Sequence, residues 1–131
     1  MQNQTITLLD TYPVLMNTLE AGYVFERDYP EGVAEMRRVM EAHPEPLFVI
    51  DDVSAVTLTM DDLINAANQG SRGENPFWHH PKLLGIYFIT TSKAIEMAAQ
   101  GIKSSTYGKV NVKVCHSVEE ALADIEGAMV G

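Results

Sequence analysis

Apolar positions along this chain change period several times, and each change predicts an element. Thr5 to Leu9 and Val14 to Leu19 are rich in Thr, Val, Leu and Ile, with Asp10, Thr11, Tyr12 and Pro13 between them. That combination predicts a β-hairpin. Pro13 before and Gly22 after leave a short helix over Val14 to Ala21 as the competing reading. Tyr23 to Arg27 stays open between a short strand and the lead into the next helix. From Glu31 onward Val33, Met36, Val39 and Met40 fall at helical spacing, with Glu35, Arg37, Arg38 and Glu41 mostly opposite. Pro44 and Pro46 set the end of that helix near His43.

Leu47, Phe48, Val49 and Ile50 are four apolar residues in a row, without the polar alternation of a half-exposed strand. Both faces must then be covered, which predicts a central strand entered at Pro46 and left at Asp51 and Asp52. Thr59 and Asp62 have the spacing of a helix N-terminus, hydroxyl and carboxylate each reaching a backbone N–H. Leu63, Ile64, Ala66 and Ala67 continue it as a short helix to about Gly70. Gln69 to Pro76 reads as a loop, and Gly70 to Gly73 within it as a turn: its Gly-Ser-Arg-Gly lacks the lysine of a phosphate loop and follows a helix.

Leu83 to Thr90 predicts a second buried strand. Thr91 and Ser92 follow as candidate caps, then a helix carrying Ala94, Ile95, Met97, Ala98, Ala99 and Ile102, closed by Tyr107 and Gly108. Val110, Val112 and Val114 alternate with polar residues, as in a strand with one wetter face and a lysine-guarded edge. Ser117 and Glu120 have capping-box spacing ahead of a last helix with Val118, Ala121, Leu122, Ile125 and Met129 on its apolar face. The expected class is α/β: a mixed sheet with an N-terminal antiparallel hairpin and three parallel strand–helix units, in one domain over 1–131.

Composition narrows the partners. With 131 residues, 46% hydrophobic, the chain can bury a core unaided. Its formal net charge of −9 opposes phosphate backbones and anionic membrane surfaces alike. No apolar run approaches the roughly 20 residues that span a bilayer. No nucleic acid and no membrane are therefore expected. Met1 to Asp10 lacks the basic and apolar regions of a secretory signal, and Cys115 is the one cysteine, so a reducing, cytoplasmic setting is expected.

The order of elements, with the segments HPKLLGIYFITTSKAIEMAAQGI and VNVKVCHSVEEALADI, resembles the STAS domain, the anti-sigma factor antagonist fold, and within it a branch of STAS-like bacterial proteins. The resemblance implies a noncatalytic regulatory or protein-interaction module, self-associating or docking a protein partner through the loop after the central strand. In that family the loop carries an Asp-Ser pair with a nearby glycine, and a kinase phosphorylates the serine. Here the region reads TLTMDDL, with Met60 or Asp61 at the serine's place and no adjacent glycine. Thr57 and Thr59 are neighbouring hydroxyls, for which turn and cap duties are the stronger reading.

Parallel strands bring Asp51, Asp52, Ser54, Thr90, Thr91, Cys115, His116 and Ser117 to one carboxyl edge, the usual ligand side of such a sheet. With Thr57, Thr59 and Asp61 they form the candidate ligand or partner surface. An alternative function follows: binding of a small ligand (nucleotide, phosphate or lipid) at this edge or in an apolar pocket beneath the 69–76 loop. The competing reading makes the aspartates solvated turn residues and His116 a surface histidine. No cofactor, metal or catalytic constellation is expected. His79 and His80 are adjacent and point apart, Cys115 reads as a buried structural thiol, and Phe77 and Trp78 as cover for the sheet or an interface.

Overall fold

The structure is a computed structural model that describes residues 3–71, 76–102 and 111–130. Five strands form one sheet: β1 (Gln4–Leu8), β2 (Val14–Leu19), β3 (Leu47–Asp52), β4 (Leu83–Ile89) and β5 (Val112–Cys115), lying side by side in sequence order. β1 and β2 are antiparallel, while β2 to β5 are parallel. This is the mixed α/β sheet the sequence predicts, with the run Leu47 to Ile50 at its centre.

Among the described residues four helices cover it: α1 (Phe25–Ala42), α2 (Met60–Ser71), α3 (Lys93–Ile102) and α4 (Val118–Val130). Right-handed crossovers between strands laid down in one direction put their helices on one face. Met36 and Met40 of α1, Ala67 of α2 and Ala99 of α3 accordingly pack with Leu15, Val49, Ile86 and Val112 in one core layer. The alternate residues Val14, Ile50, Tyr87 and Cys115 turn to the other face, where Ala121 and Ile125 of α4 cover them. Leu15, Val49 and Ile50 are 0% exposed, each such side chain contributing about 1.5–3 kcal/mol of burial.

Two open readings are settled. Val14–Leu19 is a strand paired to β1, which rules out the helix over Val14 to Ala21. Tyr23 to Arg27 leads into α1, which begins at Phe25, six residues before the expected Glu31, with Pro30 inside it. Asp28 explains the early start: its Oδ2 accepts the Val24 N–H at 2.8 Å, and its carboxylate accepts from the Arg27 guanidinium. That side-chain cap holds the first turn although Pro30 lacks an N–H.

The other helix starts follow their sequence signals. Asp62 N–H donates to Thr59 Oγ1 at 3.1 Å and Thr59 N–H to Asp62 Oδ2 at 3.0 Å, a reciprocal capping box. Ser92 Oγ accepts from Ile95, so Ser92 caps α3, and Ser117 Oγ accepts from Glu120 at α4. β5 is an edge strand whose Lys113 binds Asp124 of α4 at 2.8 Å. A 3-10 turn, Phe77–His79, places Phe77 and Trp78 in the core. The loop expected over Gln69 to Pro76 starts later than predicted, since Gln69, Gly70 and Ser71 are the last residues of α2; 72–75, the closing Tyr107 and Gly108, and the expected strand residue Val110 lie outside the described residues. Among the described residues no helix is long and apolar enough to cross a membrane.

Candidate functional site

The predicted edge residues do not converge on one point, because successive residues of a strand face opposite sides of the sheet. Asp51 turns toward α1–α3, and Asp52, its neighbour in the strand, to the opposite side of the sheet. Asp52 Oδ1 accepts from Ser54 Oγ at 2.6 Å and Ser54 N–H at 3.1 Å, closing the turn after β3. Thr90 is buried and its Oγ1 accepts from Ser92 N–H. Thr57, Thr91 and Asp61 are exposed, and Thr59 is engaged as a cap. His116 is exposed and its Nε2 lies 3.1 Å from Glu96 of α3, the contact that chiefly holds the Glu96 carboxyl below its ordinary range. Cys115 is buried, and that burial raises its thiol pKa.

Asp51 has the most unusual surroundings. In the parallel pairing of β2 with β3 it stands opposite Asn17, whose Nδ2 donates to Asp51 Oδ1 at 2.9 Å. Asn17 Oδ1 in turn accepts from Gln4 Nε2 at 2.9 Å. Gln4 reaches it diagonally, since Ile6 is the residue paired with Asn17 in the hairpin. A polar row of three side chains thus crosses three strands beneath the helices. Gln4 and Asn17 are buried, and among the described residues Gln4 Oε1 has no hydrogen-bond partner.

Above this row the helices leave a cavity of about 70 Å³ between the sheet and α1, α2 and α3. Its walls are mainly aromatic and aliphatic, with Phe25, Tyr29, Trp78 and Phe88 among them, and Gln4, Asn17, Asp51 and Asp62 supply polar groups. Phe25 and Tyr29 stack with ring centroids 4.5 Å apart. Tyr29 donates its hydroxyl to the Ala66 carbonyl at 3.4 Å, joining α1 to α2 across the opening. Gly32 allows the Gln4 amide to lie against α1, where a Cβ would come within 2.5 Å of it.

Electrostatically this is a negative, poorly hydrated place. Burial pushes the Asp51 carboxyl up to about 6, against the opposing effect of the Asn17 donor. The same burial, with Asp51 nearby, raises the phenols of Tyr23 and Tyr29, and Asp28 and Asp62 add to the effect at Tyr23. Among the described residues lining the cavity there is no Lys, Arg or His.

No family model, curated protein or solved structure matches this chain. Of the sequence-selected residues only Asp51 lines the cavity; Gln4, Asn17, Tyr23, Tyr29 and Asp62 were not selected as site residues. The detectable signal was alternation: Leu15, Asn17 and Leu19 share one face of β2, so Asn17 is a polar residue at an inward position.

Elsewhere the histidines separate. His80 is buried with Nε2 3.1 Å from Glu41, while His79 is exposed. Among the described residues no three His, Cys, Asp or Glu side chains gather as a metal would require.

Proposed function

We propose that this chain is a binding protein for a small molecule, held between the sheet and helices α1–α3. The observation that carries the reading is the cavity over the Gln4–Asn17–Asp51 row. Ligand sites are concave and mainly apolar, with a few placed polar groups and a perturbed titratable residue. Binding is favoured over catalysis because no Ser, Cys, His or Lys is among the described lining residues, leaving Asp51 without a nucleophile or base partner. The single cysteine supports a reducing, cytoplasmic setting.

The chain has one tryptophan, and Trp78 lines the cavity, so its emission reports occupancy. A library of small polar and apolar compounds is expected to contain members that change Trp78 emission and raise the Tm together. Substituting Ala66, also in the wall, by Leu should fill the space and abolish both responses. A library without such a compound would overturn the reading.

A second reading has its own observation. Met60 and Ile64, one turn apart on α2 directly after the β3 loop, are 49% and 45% exposed. The resemblance to the STAS domain implies docking or self-association through this region, and two exposed apolar side chains there support it. Met60→Asp with Ile64→Asp would break such an association without disturbing the cavity.

A further inference from the structure

We infer that the cavity selects a small organic cation, an alkylammonium or quaternary ammonium of a few heavy atoms, with its charge toward Asp51 and its carbons on the aromatic walls. The inference rests on the proposed binding function and specifies its ligand class.

The direction of the hydrogen bonds leads to it. An ionised Asp51 only accepts, so Asn17 must turn its amide nitrogen toward it, which leaves Asn17 Oδ1 facing Gln4. Gln4 must then spend its nitrogen on Asn17, and its Oε1 is left over. One carboxylate thereby orients the whole row. What it offers the cavity is acceptors: Gln4 Oε1 and the Asp51 oxygen that Asn17 does not use. Gln4 is only 6% exposed, so its unpaired oxygen is a costly buried acceptor that a ligand N–H would satisfy.

Charge and walls agree with this. Asp62 of α2 is the other acidic lining residue, Asp28 of α1 is paired with Arg27, and α3 contributes only Ile95, Ala98 and Ala99. A carboxylate or phosphate ligand would meet like charge with no Lys, Arg or His among the described lining residues to offset it, the Arg37 guanidinium being held over the ring of the wall residue Phe77, 5.8 Å from its centroid. A wholly apolar ligand would leave Gln4 Oε1 and Asp51 dry and unpaired. A cation meets both acceptors and the aromatic walls formed by Tyr29, Phe25 and Trp78, whose ring quadrupoles favour it. The volume, about 70 Å³, limits it to a few heavy atoms. Because protonation near pH 6 removes the Asp51 charge, affinity should fall below that pH.

The test uses four probes of similar size, propylammonium, tetramethylammonium, propanol and propionate, read by Trp78 emission and Tm at pH 7.5 and pH 5. The two cations are expected to bind best at pH 7.5, propanol weakly and propionate not at all, with cation affinity lower at pH 5. Asp51→Asn should weaken cation binding about tenfold or more, and Gln4→Leu should weaken propylammonium more than tetramethylammonium, which has no N–H. Glu119→Gln on exposed α4 should leave binding unchanged, separating the site from general attraction to an acidic protein. Should Asp51→Asn not fold, the pH dependence of the intact chain and Gln4→Leu decide. Propionate or propanol binding as well as the cations would overturn the cation inference and leave the binding function standing. If no probe and no library compound moves Trp78 emission, both fall.

Discussion

Asn17 and Asp51 stand opposite each other across the parallel pair β2–β3, joined by an amide-to-carboxylate hydrogen bond of 2.9 Å. The bond is the middle of a buried row, so removing Asn17 affects both neighbours. Asn17→Ala should leave Asp51 without its donor and Gln4 Nε2 without its acceptor, at a cost of about 1–3 kcal/mol. Urea denaturation should show a larger loss at pH 7 than at pH 5, where Asp51 is protonated and less in need of a donor. Carboxyl NMR should find the Asp51 pKa above its wild-type value, since the hydrogen bond that lowers it is gone.

Asp51 also gives stability a pH dependence of definite sign. Its folded pKa of about 6 lies above the ordinary aspartate value of 3.8, so between these values the native state holds more protons than the unfolded chain. Stability from this group is therefore greatest below about pH 4 and falls as pH rises through 6, by roughly 2 kcal/mol given its residual solvent contact. Asp28 acts in the opposite sense: the Arg27 hydrogen bond first, then the Val24 N–H, hold it down to about 2. Its contribution is present above about pH 4 and is lost as pH falls through 2. Urea midpoints over pH 2–8 should show Asp51→Asn flattening the limb between pH 4 and 6, and Asp28→Asn weakening the acid limb.

Two glycines should respond oppositely to alanine. At Gly32 an added Cβ would come within 2.5 Å of the Gln4 amide, disturbing the polar row, and Gly32→Ala should destabilise by about 1–3 kcal/mol despite better helix propensity. At Gly127 in α4 nothing lies within 4 Å of the added Cβ. Gly127→Ala should stabilise by about 0.5–1 kcal/mol. Thermal melts of the two variants separate close approach from backbone entropy.

Thr59 offers a check on the N-terminus of α2. Thr59→Ala removes the acceptor for Asp62 N–H and should cost about 1 kcal/mol, whereas Thr59→Ser should retain nearly all of it. Equal loss for both variants would assign the effect to the methyl group instead of the cap.

The sheet was legible because its signals are local and mutually consistent: four consecutive apolar residues at Leu47 to Ile50, helix periods between strands, and cap spacings at Thr59 and Ser117. The start of α1 was not, since the helical spacing of Val33, Met36, Val39 and Met40 shows only from Glu31 onward, while the Asp28 contact that begins the helix earlier depends on side-chain geometry. The site was legible in one residue of three. Asp51 stands out at a strand end, but which way it faces depends on register, and Asn17 and Gln4 acquire meaning only when three strands align. Tyr23 lies in the stretch whose spacing left strand and helix undecided, and Tyr29 between that stretch and the helix expected from Glu31. His116 and Glu96 meet through the packing of β5 against α3, which sequence spacing does not encode.

Because strand order in the sheet equals order in the chain, assembly can advance outward from the hairpin, each strand adding to the edge left by its predecessor. One face gains α1, α2 and α3 as it grows. The opposite face, carrying Val14, Ile50 and Tyr87, stays bare until α4 docks. Of these four helices the one synthesised last is thus the one that covers this face, and chains not yet extended through α4 are the species most exposed to aggregation.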